Sequence, residues 1–187
     1  MPDLFPLHTL DSAPDAARPI LEKVSASFRS IPNLFGVMAS SPALAEAYIT
    51  LSGIFEKQTS LSAIERQVVL LAVSRFHECR YCMAAHSVGA SMQGVPSGVI
   101  DAIRNDLPIQ DPKLEALRRV STVLVEGRGH LTESDLQEFL AAGYAPAQLL
   151  DVLVGVSQKI LSNFTNHITK TPLDEAMSAR AWAPSTG

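Results

Sequence analysis

The sequence predicts an all-α protein, a single-domain helical bundle of about eight to ten helices. Three observations carry this. Apolar residues recur every three or four positions along nearly the whole chain. Helix-start and helix-stop residues punctuate it at regular intervals. No segment shows sustained two-residue alternation bounded by Asn-Gly or Asp-Gly turns. A length of 187 residues suits one compact domain, and 47% hydrophobic against 18% charged residues excludes a disordered chain.

The elements follow in order. Residues 1–15, with Pro2 and Pro6, read as an irregular N-terminal arm, and residues 16–187 as one helical domain. A first helix runs from the Ala16–Pro19 region to Phe28, with Ile20, Val24 and Phe28 on one face. Ile31-Pro32-Asn33 breaks it, and a short apolar helix follows through Met38. Ser41 is placed as an N-cap with Pro42 at the first helical position, opening a helix to about Lys57. Ser62-Ala63-Ile64-Glu65 is a capping-box pattern ahead of the run VVLLAV. That helix is apolar on most sides, so it should be central and buried, ending near Phe76–Glu78. The next carries Cys79 to Met92 and stops at Gly94, and Pro96 starts another. Asp111-Pro112 repeats the cap-plus-proline start, with Leu114, Leu117, Val120 and Leu124 as the buried stripe and Gly127 and Gly129 as the end. Thr132–Ala142 and Ala145 to about Ile168 complete the set. A faint echo between Gly94-Val95-Pro96 and Gly143-Tyr144-Ala145-Pro146 suggests a duplicated helix pair.

Charge and hydropathy narrow the function. Lys+Arg number 15 against 19 Asp+Glu, a net charge of -4, and no basic run is present to neutralise phosphates. The longest aliphatic run, Val68 to Val73, falls far short of the ~20 residues of a bilayer span. The segment MPDLFPLHTLDSAPDA lacks the basic and apolar regions of a secretory signal. The expectation is a soluble, cytoplasmic protein with neither nucleic acid nor membrane as partner.

Cys79 and Cys82 are the two cysteines. A bridge between them closes too short a loop to restrict the unfolded chain, so a chemical role is the stronger account. On one helix, positions 79, 82 and 86 share a face, and His86 lies one turn beyond Cys82, within reach of its proton. Cys79 falls at or just before the first turn, where free N–H groups and the helix dipole favour a thiolate. The pair has other readings: small packing residues, or a zinc site of Cys79, Cys82, His86 and either His77 or His167. A second ligand pair at zinc spacing is missing, so no metal is expected. His77 reads as a helix-end histidine in solvent. Asn163, Asn166 and His167 read as polar groups that cap the long last helix or line a thiol pocket, with capping favoured. Trp182 reads as a surface or interface anchor.

The stretch LSAIERQVVLLAVSRFHECRYCMAAHSVGA resembles the core of the alkylhydroperoxidase D-like proteins of the carboxymuconolactone decarboxylase superfamily. AARPILEKV, IPNLFGVMASSPALAEAY and NFTNHITKTPLD resemble its longer peroxidase-related subgroup, over most of residues 16 to 175. The resemblance implies an all-helical fold and a homo-oligomer (dimer, trimer or hexamer). It also implies thiol-dependent reduction of hydroperoxides in antioxidant defence, without haem, flavin or metal, with an external thiol or dithiol reductant. It makes Cys82 the attacking and Cys79 the resolving cysteine, with His86 in the proton relay. The family's relay glutamate, twelve residues before the first cysteine, is here Gln67. A glutamine can orient His86 but cannot accept a proton at neutral pH. Glu65 is nearby, but two residues along a helix turn a side chain roughly 200° away, and its capping position already explains it. Tyr81 stands where the family often has a histidine. It is expected to donate to a peroxide oxygen or fill the wall of the substrate pocket, which His167 also lines. The resemblance leaves two alternatives: a dithiol–disulfide oxidoreductase without strong peroxidase activity, and a non-redox carboxymuconolactone-decarboxylase-like enzyme, a branch that needs no cysteine pair. Dipole reasoning and the resemblance disagree over the more acidic thiol, the first favouring Cys79 and the second Cys82.

Overall fold

In the computed structural model, which describes residues 4–184, helices begin and end where the sequence signals them. The described residues form α1 (Arg18–Phe28), α2 (Asn33–Met38), α3 (Pro42–Gln58), α4 (Ala63–Phe76), α5 (Arg80–Met92), α6 (Ser97–Arg104), α7 (Pro112–Glu126), α8 (Glu133–Ala141) and α9 (Pro146–Thr169), with no strand among them. The capping box forms as read. Ser62 Oγ accepts the Glu65 N–H at 3.2 Å, and Glu65 Oε2 accepts the Ser62 N–H at 2.7 Å. Glu65 also pairs with Lys113 at 3.1 Å, which commits it to structure. Thr132 forms a second such box with Asp135 at the start of α8, and the Asp111 carboxylate caps α7 by accepting from the Lys113 and Leu114 N–H groups.

Helix α4 is the centre of the bundle and packs against α3, α5, α6, α7 and α9. Its Val68, Val69, Leu71 and Val73 are fully sealed from solvent. Each such side chain contributes about 1.5–3 kcal/mol by burial. Around them lies the larger apolar cluster, with Phe55, Ile100, Leu117, Phe139 and Val152. A second cluster joins α1, α2, α3 and the start of α5 through Leu21, Val24, Phe35, Met38, Tyr48, Cys79, Tyr81 and Cys82. Helix α9 reaches both clusters.

The N-terminal arm and the segment around Leu173 and Met177 lie over the second cluster, while Trp182 packs against the first. On the N-terminal side Ala13 and Ala17 are buried, and the His8 N–H bonds the Gly36 carbonyl. After α9, residues 171–184 form a strap containing a 3₁₀ segment, Glu175–Arg180, that the periodicity did not announce. Asp174 accepts from the Asn33 N–H at 3.0 Å and from the Tyr81 hydroxyl. Arg104 donates to the carbonyls of Arg180 and Ala181. Trp182 donates from Nε1 to the Arg104 carbonyl at 3.0 Å, with the Arg75 guanidinium 5.2 Å from its ring centre. Trp182 therefore anchors the chain's own strap, which corrects its reading as a surface or interface anchor.

Gly155 decides how deeply α9 sits. A Cβ there would lie 2.7 Å from Phe55 Cζ and 2.8 Å from Val69 Cγ1. Replacing it with alanine gains about 1 kcal/mol of helix propensity but overpacks the joint between α3, α4 and α9. Gly155→Ala is expected to lower the stability measured by urea unfolding by about 1–3 kcal/mol.

Candidate active site

The dithiol sits at a corner between two helices. His77 closes α4, Glu78 takes a left-handed conformation (φ 53), and the Cys79 N–H bonds the Ser74 carbonyl at 3.0 Å. Cys79 is thus the N-cap of α5, and the helix proper begins at Arg80, one residue later than the spacing predicts. Cys82 lies in the first turn. Both thiols are free, and their exposures of 1% and 2% place them inside the protein.

The groups facing them come from α9. Lys159, Ser162, Asn163 and Asn166 form one stripe of that helix at helical spacing and are all buried. Asn166 Nδ2 lies 3.3 Å from the Cys82 sulfur and 3.7 Å from that of Cys79. Ser162 Oγ lies 3.7 Å from Cys82. Lys159 Nζ lies 2.8 Å from His86 Nε2. Lys159 is entirely enclosed and forms no ion pair with a carboxylate among the described residues. A buried ammonium needs a counter-charge, and Cys82 is placed to supply it. Burial pushes the Cys82 thiol up, but hydrogen bonding from Cys79, the Lys159 charge and Ser162 outweigh it and hold Cys82 well below the usual thiol range. Cys79 is pushed up, by its hydrogen bond to Cys82, by burial and by the Cys82 charge. Cys82 is therefore the acidic thiol, and the preference for Cys79 on dipole grounds is corrected. The dipole offers about half a charge at the helix start, whereas Lys159 brings a whole one.

His86 joins this site through Lys159 and not through the sulfur. Burial first, then the Lys159 charge, holds its imidazole well below the usual histidine range, so it is neutral and accepts from the ammonium. Lys159, not Gln67, is the group bonded to the His86 ring, at Nε2. Gln67 is buried on α4 with its Oε1 unbonded. The expected Gln67–His86 contact is not formed.

Tyr81 has both hydrogen-bonding roles committed, donating to Asp174 and accepting from the Leu34 N–H at 3.3 Å. Its hydroxyl is therefore already committed within the protein. With Arg80, Thr171, Leu173, Ala181 and Trp182, Tyr81 lines a cleft of about 230 Å³. His167 is exposed. Its neighbour Asn166 meets the thiols instead, so the expected pocket position of His167 is corrected by one residue. His77 is half-buried, bonds Asn163 Oδ1 through Nδ1 at 2.9 Å and packs between Phe76 and Phe164. That corrects its reading as a solvent histidine, and burial lowers its pKa. Asn163 and Asn166 do not cap α9, whose end is made by Lys170 in a left-handed conformation. His77 and His86 are thus turned to other partners and His167 to solvent. No three His, Cys, Asp or Glu side chains converge as metal ligands among the described residues. The sequence reading missed Lys159, although a single cation within the apolar run of α9 was the available signal.

Fold and site together define an all-helical protein with a buried dithiol at a helix start. Residues 42–122 match the family model described as the carboxymuconolactone decarboxylase family. Among solved structures, an alkylhydroperoxidase AhpD core, a peroxidase-related protein from Ralstonia eutropha JMP134, superposes with a TM-score of 0.78 at 20% identity, covering 92% of this chain and 93% of its own. A peroxidase-related protein from Silicibacter sp. TM1040 gives 0.78 at 16% identity, covering 94% and 93%. The debrominase Bmp8, as a Cys→Ala variant in complex with 2,3,4-tribromopyrrole, gives 0.77 at 16% identity, covering 94% of each chain. A sequence search among curated proteins finds no match. Residues 42–122 are thus similar to the carboxymuconolactone decarboxylase family, and the chain has the helical fold of the alkylhydroperoxidase AhpD-like structures.

Two outcomes test the buried pair. Lys159→Met removes the charge that favours the thiolate. It should move the pH profile of Cys82 alkylation by iodoacetamide upward by at least one unit, slowing labelling at pH 7 about tenfold. Cys82→Ser leaves the cation uncompensated and should cost about 3–5 kcal/mol in urea unfolding, most of it recovered when Lys159→Met is added.

Proposed function

We propose that this protein is a thiol-dependent peroxidase that reduces hydroperoxides through Cys82 and Cys79. The observation that carries the reading is the Cys82 sulfur 3.3 Å from the Asn166 amide on the helix face that buries Lys159, whose charge lowers the Cys82 pKa while that of Cys79 beside it is pushed up. Cys82 attacks the terminal peroxide oxygen. The S–O bond forms, the O–O bond breaks, and the departing alkoxide takes the Lys159 proton and leaves as an alcohol. Cys79 then condenses with the Cys82 sulfenic acid. Its proton and the sulfenic hydroxyl leave together as water as the S–S bond forms, and a disulfide remains. An external dithiol restores the pair by exchange, returning one proton to Cys79 and one to Lys159. His86, neutral and bonded to the amine, keeps Lys159 in place through both protonation states. The cleft beside Arg80 and Tyr81, residues that stand between the two cysteines, is the approach we assign to substrate. The reaction sets the order of labelling. Cys79→Ser should still form a sulfenic acid at Cys82, trapped by dimedone and seen by mass spectrometry, but no disulfide. Cys82→Ser should show neither.

The same dithiol suits a second reading, two-electron reduction of another electrophile. This draws on the architecture shared with the debrominase and on the burial of the thiols, which selects for small substrates. Turnover of cumene hydroperoxide, a small disulfide and a bromopyrrole, compared with one reductant, separates the two. Peroxide is expected to react fastest, and preference for either other substrate overturns the peroxidase reading.

A homo-oligomer is part of this proposal. The outer face of α9 exposes Leu150, Leu153, Ile160, Phe164 and Ile168 in one apolar stripe. A second copy of the helix laid antiparallel would set Leu150 against Ile168 and Leu153 against Phe164, a self-complementary match. Phe164→Glu is expected to lower the mass measured by light scattering.

A further inference from the structure

Six buried side-chain polar atoms lack a hydrogen-bond partner among the described residues, and two of them belong to the stripe that faces the thiols: Asn163 Nδ2 and Asn166 Oδ1. Both side chains are more than nine-tenths buried. Their other ends are engaged. Asn163 Oδ1 takes the His77 Nδ1 contact at 2.9 Å, and Asn166 Nδ2 faces both sulfurs. A thiolate can only accept, so the Asn166 amide must turn its nitrogen to Cys82 and leave its oxygen free. An amide donor and an amide acceptor are thus left open three residues apart on one helix face, beside a nucleophilic sulfur. Buried polar groups without partners are rare in native proteins and mark a place for a ligand or a water.

We propose that Asn163 and Asn166 form the peroxide-binding pair of this site, with Asn166 Oδ1 accepting the hydroperoxide O–H and Asn163 Nδ2 donating to the oxygen that leaves. The inference rests on the peroxidase reading and deepens it by naming the groups that select the substrate. A hydroperoxide carries one O–H donor, on the oxygen Cys82 attacks, and an acceptor on the oxygen that departs. The two open amide atoms match these in kind and in order. As the O–O bond breaks, negative charge grows on the departing oxygen, and the Asn163 N–H stabilises it until the Lys159 proton arrives. The S–S bond of a disulfide and the C–I bond of an alkyl iodide carry no donor on the atom that is attacked, so they leave Asn166 Oδ1 without a partner at the reacting centre. The pair therefore favours peroxides over other electrophiles of similar size.

The test compares three electrophiles on single-turnover oxidation or alkylation of Cys82 at pH 7: cumene hydroperoxide, iodoacetamide and cystamine. Asn163→Ala removes the open donor without touching either sulfur. It is expected to slow the hydroperoxide reaction about 100-fold, in the range seen when one oxyanion donor is removed, and the other two by less than about threefold. Asn163→Ser, which keeps a hydroxyl donor and is the milder change should the alanine variant fold poorly, should recover part of the peroxide rate. His77→Phe, which removes only the partner of Asn163 Oδ1, should leave all three rates within about threefold of the parent. Equal slowing with every electrophile, or an unchanged peroxide rate in Asn163→Ala, overturns the assignment. A parent protein that reacts with peroxide no faster than a free thiolate refutes the peroxidase reading and this inference with it. A fast parent with an equally fast Asn163→Ala refutes the inference alone.

Discussion

The buried Lys159 ammonium, placed on the side of α9 that faces Cys82, is the constraint around which the site is organised. A lysine side chain sealed inside a helical bundle costs several kcal/mol in lost hydration unless an anion stands beside it, and the described carboxylates lie elsewhere. The sulfur that answers this need gains a depressed pKa, and so a nucleophile, from the same charge. The other groups fit around the pair. Asn166 spreads one amide over both sulfurs, Ser162 adds a hydroxyl, and His86 takes the far side of the ammonium without competing for charge.

The fold delivers this arrangement through a tight corner and a long helix. One left-handed residue, Glu78, separates the cap of α4 from Cys79, so the first thiol is held outside the helix and the second within its opening turn. That difference in position makes the two sulfurs chemically unequal. Helix α9 presents its polar stripe to them and its apolar stripe outward. The strap after α9 closes the remaining side, tied to α5 through Tyr81 and Asp174 and to α6 through Arg104.

Much of this was legible in the sequence, for identifiable reasons. Helix boundaries were set by local chemistry, as at Ser62 with Glu65, Asp111 with Pro112, and Gly143 with Pro146, and local chemistry can be read from neighbours. The shared face of Cys79 and Cys82 followed from helical spacing. What spacing could not supply was the long-range half of the site. Lys159 meets His86 from 73 residues away. A lone lysine in an apolar helix announces that something unusual is buried but not what it meets. Asn166 and His167 are adjacent, and a turn of 100° per residue decides which faces the sulfurs. Only the packed position of α9 fixes that phase. Gln67 shows the reverse error, since its place in the chain matched a relay position while Lys159 had already taken the imidazole it was meant to orient. The 3₁₀ segment of the strap carries too short a pattern to be seen before its contacts exist.

The close approach at Gly155 has a bearing beyond packing. It lies one helical turn before Lys159, so the depth at which α9 beds against Phe55 and Val69 also sets how far the ammonium reaches toward the dithiol. Two aliphatic and aromatic core positions with no polar atom of their own are thereby coupled to the acidity of a cysteine. Evolutionary drift at those positions would be restrained by reactivity as well as by folding, and a random-mutagenesis screen for lost turnover would recover hits there that a map of polar contacts alone would class as bystanders.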